Sequence, residues 1–364
     1  MRALWSLVLV LPLSFGAAAP DASARADEGK KVTFMTQNLY FGADLAPAIG
    51  AIFSGDLDAI LTEVGGVWAN VQATDFNTRA VAIADEVKAK KPDFLALQEA
   101  AVWSVGPPLD PADATEVAYD FVEILRDALA ARGMRYDVVA VADEFEAEVT
   151  GYVPDSLYGA LDIRLKVHDA LLVKHGGDFK ITNASGHQFE TNVEFDTPLG
   201  PIAYTWGWVQ ADVKMGRREF RVIGTHFDAD FPDVRYVQAG EILAGPCDTE
   251  LPVVVLGDFN SDGNGGESSA AYQEFIDAGF GDAWVDEHPD DLGLTYGQEP
   301  TLTDPTWPST TTEPIERIDF VLYRGEAGEF TATYADRVGE EEDDMYGGLW
   351  PSDHAGVAAT LRIR

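Results

Sequence analysis

No run of residues constrains this chain more than Val253-Val254-Val255-Leu256-Gly257-Asp258-Phe259-Asn260-Ser261. Four apolar residues, three of them β-branched, predict a buried strand. Gly257, Asp258 and Asn260 come next, so two polar side chains reach the rim of a sheet. In extended backbone, positions two apart share a face. A carboxylate beside a carboxamide on a rigid element suits gripping a cation or a nucleophilic water. Strand-end aspartates are common, so the run gains weight only from similar segments elsewhere.

Several such segments exist. Asn38 follows the alternating stretch Val32–Gln37, Glu99 follows Phe94–Gln98, and His226 follows Phe220–Thr225. Asp319 lies within Arg317-Ile318-Asp319-Phe320-Val321-Leu322, and Asp353-His354 precedes Ala355–Leu361. With the Asp258/Asn260 pair these make six strand-end positions. Polar residues weaken good strands, and six converging by chance is improbable, so a shared site is expected.

Between these segments the chain alternates. Thr78 to Lys91 predicts a helix stopped by Pro92, and Phe121 to Arg132 a second one ended by Gly133. Helical signals recur at Arg235–Leu243 and Ala271–Ala278, with a helical excursion before Asp75. Strand signals cover Tyr136–Val141, Ala170–Val173, Phe189–Phe195, Tyr204–Val213, Arg317–Tyr323 and Ala355–Ile363. Strands with scattered helices fit an α/β (α+β) chain with two packed sheets better than a doubly wound parallel sheet. No glycine-rich phosphate loop follows the first strand.

Arg2, the apolar stretch Leu4–Leu11 and Ala22-Ser23-Ala24 form a secretory signal pattern over 1–24. Pro12 and Gly16 interrupt a stretch already short for a bilayer span, so a soluble, exported protein is expected, with one domain over 31–364. Cys247 is the only cysteine, which excludes an intramolecular disulfide and makes it a structural thiol. With 25 Lys+Arg against 62 Asp+Glu, the formal net charge is −37. Such a surface repels polyanions and argues against tight gripping of a nucleic-acid backbone. It does not exclude a nuclease, because cations screen the repulsion. The acidic runs Asp143–Glu146 and Gly339–Asp344 are expected to be solvated loops.

The residue types at the six positions suggest phosphorus chemistry. Glu99 offers a hard anionic oxygen for Mg²⁺, Mn²⁺ or Ca²⁺, and Asn38 a neutral oxygen beside it. His226 and His354 are two of six histidines, without the close N/S spacing that zinc wants. Asp319 is suited to orient an imidazole.

The ordered set Asn38, Gln98-Glu99, Gly224-Thr225-His226, Gly257-Asp258-Phe259-Asn260, Arg317-Ile318-Asp319 and Ser352-Asp353-His354 resembles the endonuclease/exonuclease/phosphatase superfamily. That group includes pancreatic-type deoxyribonucleases, apurinic endonucleases, inositol-polyphosphate phosphatases and bacterial sphingomyelinases. The resemblance covers about residues 31 to 363 and implies a four-layer αββα sandwich with its site at one edge of two mixed sheets. It implies that Glu99 and Asn38 hold the metal, with Asp353 nearby. His226 would stabilise charge on the scissile phosphate, Asp258 and Asn260 would position water or phosphate, and His354 would be oriented by Asp319. Either Asp258 or His354 would take the proton from water; His354 is favoured, since a carboxylate near a metal should be too acidic.

Other signals have plainer expectations. His168-Asp169 fits a strand-entry pair, Asp44 turn chemistry, and the alternating Tyr204, Trp206 and Trp208 one sheet face packed beneath a helix. The expected activity is a secreted, metal-dependent phosphoesterase acting on nucleic acid or on a phospholipid or small phosphate ester, with the protein expected to be a monomer. A non-catalytic or Ca²⁺-binding module on the same scaffold is the alternative.

Overall fold

The strand Lys30–Asn38 (β1) shows how the pleat builds the layers: Val32 and Phe34 pack between two sheets, while Met35 packs beneath helices. The structure is a computed structural model that describes residues 29–266, 268–309 and 314–364. The expected signal segment 1–24 lies outside the described residues.

After β1 come α1 (Ala46–Ser54), α2 (Leu57–Ala73), α3 (Phe76–Lys90), β2 (Phe94–Gly106), β3 (Glu116–Asp120), α4 (Phe121–Ala131), β4 (Tyr136–Tyr152) and β5 (Ala160–Lys174). Then follow β6 (Lys180–Gln188), β7 (Val193–Thr197), β8 (Gly200–Tyr204), β9 (Gly207–Met215), β10 (Arg218–His226), α5 (Pro232–Ala244), β11 (Val253–Asp258) and α6 (Ala270–Asp277). The chain closes with β12 (Gly281–Asp282), α7 (Ala283–Glu287), β13 (Asp319–Arg324), β14 (Phe330–Val338) and β15 (Gly356–Ile363).

One mixed sheet has the order β14-β15-β1-β2-β5-β4, with β3 also paired to β2; the other has β12-β13-β11-β10-β9-β6. Phe34 and Phe94 of the first sheet meet Phe220 of the second, with Val222, Val254 and Leu256 in the same layer. Met35, Leu95 and Leu97 face outward under Trp68, Phe76 and Ile83 of α2 and α3. Val253 and Val255 face Ala239 and Phe275 of α5 and α6. The architecture is the expected α/β sandwich of two mixed sheets with helices outside. Among the described residues, no helix is long and apolar enough to cross a membrane.

The helix expectations hold closely, and at α4 both ends carry their signals. Asp120 caps α4 by accepting from the Glu123 amide at 3.1 Å, and Gly133 after it has φ 76°. Strand expectations fail where charged residues sit in paired backbone. Asp143–Glu146 is not a loop: it lies within β4, where Glu144 is buried. His168-Asp169 is not an entry pair either, since β5 begins eight residues before it, at Ala160. The expected strand Phe189–Phe195 starts only at Val193, and the expected strand Tyr204–Val213 breaks at Thr205-Trp206 into β8 and β9. Cys247 is buried in the outer core against α5, and burial pushes its thiol up to about 12.

Candidate active site

Strand direction explains why distant residues meet. β1 runs parallel to β2 with Asn38 opposite Gln98, and β10 parallel to β11 with His226 opposite Asp258. Each parallel pair therefore ends at the same rim of its sheet. The antiparallel neighbours begin there: Asp319 of β13 lies opposite Asp258, and β15 pairs Val357 with Thr36. The turn carrying Asp353 and His354 thus enters over the end of β1. Packing the two sheets face to face brings both rims to one cavity of about 410 Å³.

Glu99, His226, Asp258, Asn260, Asp353 and His354 line that cavity. Asn38 and Asp319 stand behind them. Asn38 donates its amide to Glu99 Oε1 and to Asp258 Oδ2, both at 3.0 Å, which links the two sheets. Its Oδ1 accepts from the Tyr40 amide at 2.8 Å. Carboxylates accept and a backbone N–H donates, so only this orientation of the carboxamide satisfies its three partners. Asn38 thus faces the two acids with its amide nitrogen and bridges them, while its oxygen holds the Tyr40 amide.

Two further corrections concern how side chains reach the rim. Glu99 does not end its strand; β2 continues to Gly106 through a register shift between Leu97 and Ala100, and Glu99 has φ 52°. This left-handed kink turns the carboxylate to the cavity, where Oε2 accepts from the Phe41 amide at 2.9 Å. Asn260 lies beyond β11 with φ 47°, so strand parity does not align it with Asp258. Instead its amide N–H donates to Asp258 Oδ1 at 2.8 Å, and its Nδ2 to the Phe227 carbonyl at 2.9 Å.

His354 Nδ1 donates to Asp319 Oδ2 at 2.9 Å, and its Nε2 lies 3.8 Å from Asp258 Oδ2. Burial works against its charge, but Asp319, Asp258 and Asp353 outweigh it and hold the imidazole well above its ordinary pKa. His226 Nε2 lies 3.5 Å from the same Asp258 oxygen, with Trp206 edge-on to its ring at 4.3 Å. Burial, helped by His354, pulls His226 down to about 3, so it is neutral. Burial pushes Asp258 up to about 7, against the pull of His354. Burial and then Asp353 push Glu99 up to about 8.

Buried carboxylates raised in this way seek a proton or a cation. Arg79, whose charge acts on Asp353, is committed to four backbone carbonyls. Glu99 and Asp353 facing one cavity fit a hard divalent cation with room for waters and phosphate oxygens. Among the described residues, two trios have ligand atoms within 4.8 Å of one another: Asp258–Asp319–His354 and Glu144–Asp169–His226. In the first, Asp319 and His354 are already bonded to each other through Oδ2 and Nδ1 at 2.9 Å.

The second trio was missed. Asp169 and Glu144 are buried, with carboxylate oxygens lacking hydrogen-bond partners, as does His226 Nδ1. Burial, then Asp258, raises Asp169 well above the usual range; burial, then Asp169, does the same for Glu144. Their signal was an acid on the inward side of an alternating stretch, hidden because β4 and β5 were expected to be short. Arg79 was missed too. Asp44 accepts from the Ala46 amide at 2.8 Å, the expected turn chemistry, and also lines the cavity. Trp206 packs on His226 and donates to Asp228 at 3.1 Å, whereas Trp208 stacks on His187.

This sandwich, with its rim cavity of acids and imidazoles, has the form of the metal-dependent phosphoesterases and nucleases. The sequence model of the Endonuclease/Exonuclease/phosphatase family matches residues 35–354, and the chain belongs to that family. Its fold is shared by a family protein from Bacteroides thetaiotaomicron, 17% identical, covering 92% of this chain and 99% of that one, with TM-score 0.54. D. rerio TDP2 complexed with single strand DNA product is 15% identical over 91% of this chain and 99% of that one, with TM-score 0.53. A third, from Beutenbergia cavernae, is 18% identical over 92% of this chain and 72% of that one, with TM-score 0.52. No curated protein matches the sequence at a significant level.

Proposed function

We propose that this protein is an exported, divalent-metal-dependent phosphoester hydrolase in which water attacks phosphorus directly. The observation that carries this is the meeting of Glu99 and Asp353 with His226, Asp258, Asn260 and His354 around one cavity. Export rests on the signal pattern over 1–24.

Glu99 and Asp353 would hold the cation, which when bound polarises a phosphoryl oxygen and offsets charge on the leaving oxygen. Asp258 takes the proton of the attacking water. What supports it over His354 is their surroundings: Asp258 sits near neutrality at about 7, while His354 is held protonated. The imidazolium of His354 donates to a phosphoryl oxygen, and Asp319 keeps it charged and oriented. Asn260 orients the substrate from the cavity wall, and neutral His226 donates to a second phosphoryl oxygen. Asn38 keeps Glu99 and Asp258 in register across the two sheets.

The test uses bis(p-nitrophenyl) phosphate and p-nitrophenyl phosphate with Mg²⁺, Mn²⁺ and Ca²⁺. Hydrolysis should vanish in EDTA and fall about a hundredfold or more in Glu99→Gln, with the fold intact. No turnover of either ester with any metal would overturn the proposal. A variant that keeps its affinity for a phosphate ligand while the parent shows no turnover would mark a binding module.

A further inference from the structure

An apolar slot lies beside the catalytic cavity, and both are walled in part by Leu45, Ile49 and Tyr204. Ile52, Trp103 and Leu165, all buried, line its inner part, beneath α1. The Trp103 indole is satisfied by the Phe41 carbonyl at 2.9 Å. Among the slot's polar side-chain atoms only the Tyr204 hydroxyl is buried without a hydrogen-bond partner. The slot measures about 70 Å³. That is roughly half of the ~150 Å³ apolar cavity that admits benzene, room for a short alkyl segment.

We propose that this slot seats an alkyl substituent of the phosphate ester whose phosphorus is attacked in the adjoining cavity. This rests on the phosphoester-hydrolase reading of that cavity and names its substrate class. A sugar or base placed there would leave its polar groups without partners. An alkyl segment loses only apolar contact with water. At the junction the Tyr204 hydroxyl meets the point where the polar head gives way to carbon, and it donates to an ester oxygen there. Its ring is fixed by Phe145 at 5.1 Å and Phe195 at 5.8 Å. Alanines 48 and 147 stand among the walls, where larger side chains would close the slot.

The experiment compares butyl and methyl p-nitrophenyl phosphate under the metal conditions above. Each seated methylene is worth about fourfold, so kcat/KM for the butyl ester should exceed the methyl value about tenfold or more. Ala48→Leu, and separately Ala147→Leu, should bring that ratio close to one. Equal kcat/KM for the two esters in the parent, or a ratio preserved in both folded variants, overturns the proposal.

If neither ester turns over, the hydrolase reading fails, and the slot is judged by calorimetry with butylphosphonate and methylphosphonate. Tighter binding of butylphosphonate, lost in Ala48→Leu, supports the slot; equal affinities overturn it. Phosphatidylcholine vesicles separate the sources of the alkyl group. Release of choline, with phosphatidate left in the vesicle, assigns a bilayer lipid, and turnover of the soluble butyl ester alone assigns a small alkyl phosphate.

Discussion

Replacing Arg79 should damage both stability and activity, although Arg79 touches no substrate. Its guanidinium is fully buried and donates to the carbonyls of Thr74 at 2.9 Å, Leu39 at 2.6 Å, Pro351 at 3.0 Å and Tyr40 at 3.0 Å. Those carbonyls belong to the end of α2, the loop after Asn38 and the turn before Asp353-His354. One side chain therefore clamps together two segments that deliver site residues. Phe76 stacks beneath it, 4.8 Å from the guanidinium carbon. Burial lowers its pKa only to about 10, so it stays charged at neutral pH. Arg79→Met fills much of the space but strands four carbonyls. At the lower end of roughly 1–3 kcal/mol per stranded group, the loss is about 4 kcal/mol. For a folded chain of this length that corresponds to a fall in Tm of about 6 °C. Arg79→Lys keeps the charge without the fork and should lie between parent and Met variant. Thermal melts followed by circular dichroism give Tm, and phosphoester turnover well below the melt gives kcat/KM, which should fall in the same order. A Met variant melting within 1 °C of the parent would refute the clamp.

Removing the Asp319 charge should move the pH profile. His354 acts protonated and loses that form as pH rises through its raised pKa, so Asp319→Asn should shift the alkaline limb of kcat/KM to lower pH; an unmoved limb would contradict the role given to Asp319. In EDTA, Tm should fall as pH rises from about 6.5 to 8. Glu99 and Asp258 are raised to about 8 and about 7, so the folded state holds protons that the unfolded state has released, and that stability is lost as these groups ionise. Adding Mg²⁺ at pH 8 should recover much of the loss, and a Tm that rises over this window without metal would count against buried, uncompensated acids. Phe34→Ala should cost about 3–5 kcal/mol, because Phe34 packs on Phe94 at 5.4 Å and on Phe220 at 6.2 Å across the two sheets. Denaturant midpoints check this, and a loss under 1 kcal/mol would mean that the layer repacks.

Much of the site is visible in the amino-acid order because its residues sit at ruptures in local pattern. Asp258, His226 and Asn38 each stop an apolar strand, and that interruption is local information. The α/β sandwich follows from the same alternation, since helices have caps and buried strands have apolar runs. Glu144 and Asp169 carry no such mark. They lie in the middle of long strands among charged neighbours, where the period-2 pattern cannot say which charged side faces a second sheet. Arg79 lies on an ordinary amphipathic helix, and nothing nearby announces that its partners are the carbonyls of Leu39 and Pro351.

By itself, then, the chain's sequence determined which donors and acids are available and that most of them interrupt apolar strands, because hydrophobic periodicity and its interruptions are properties of neighbours in the chain. Only the tertiary structure decided the charge states and the roles. It turned the Asn38 oxygen away from the acids, set a neutral His226 opposite a protonated His354, and opened an apolar slot beside them. These depend on burial and on partners brought from distant segments, and desolvation and Coulomb energy are set by position in space.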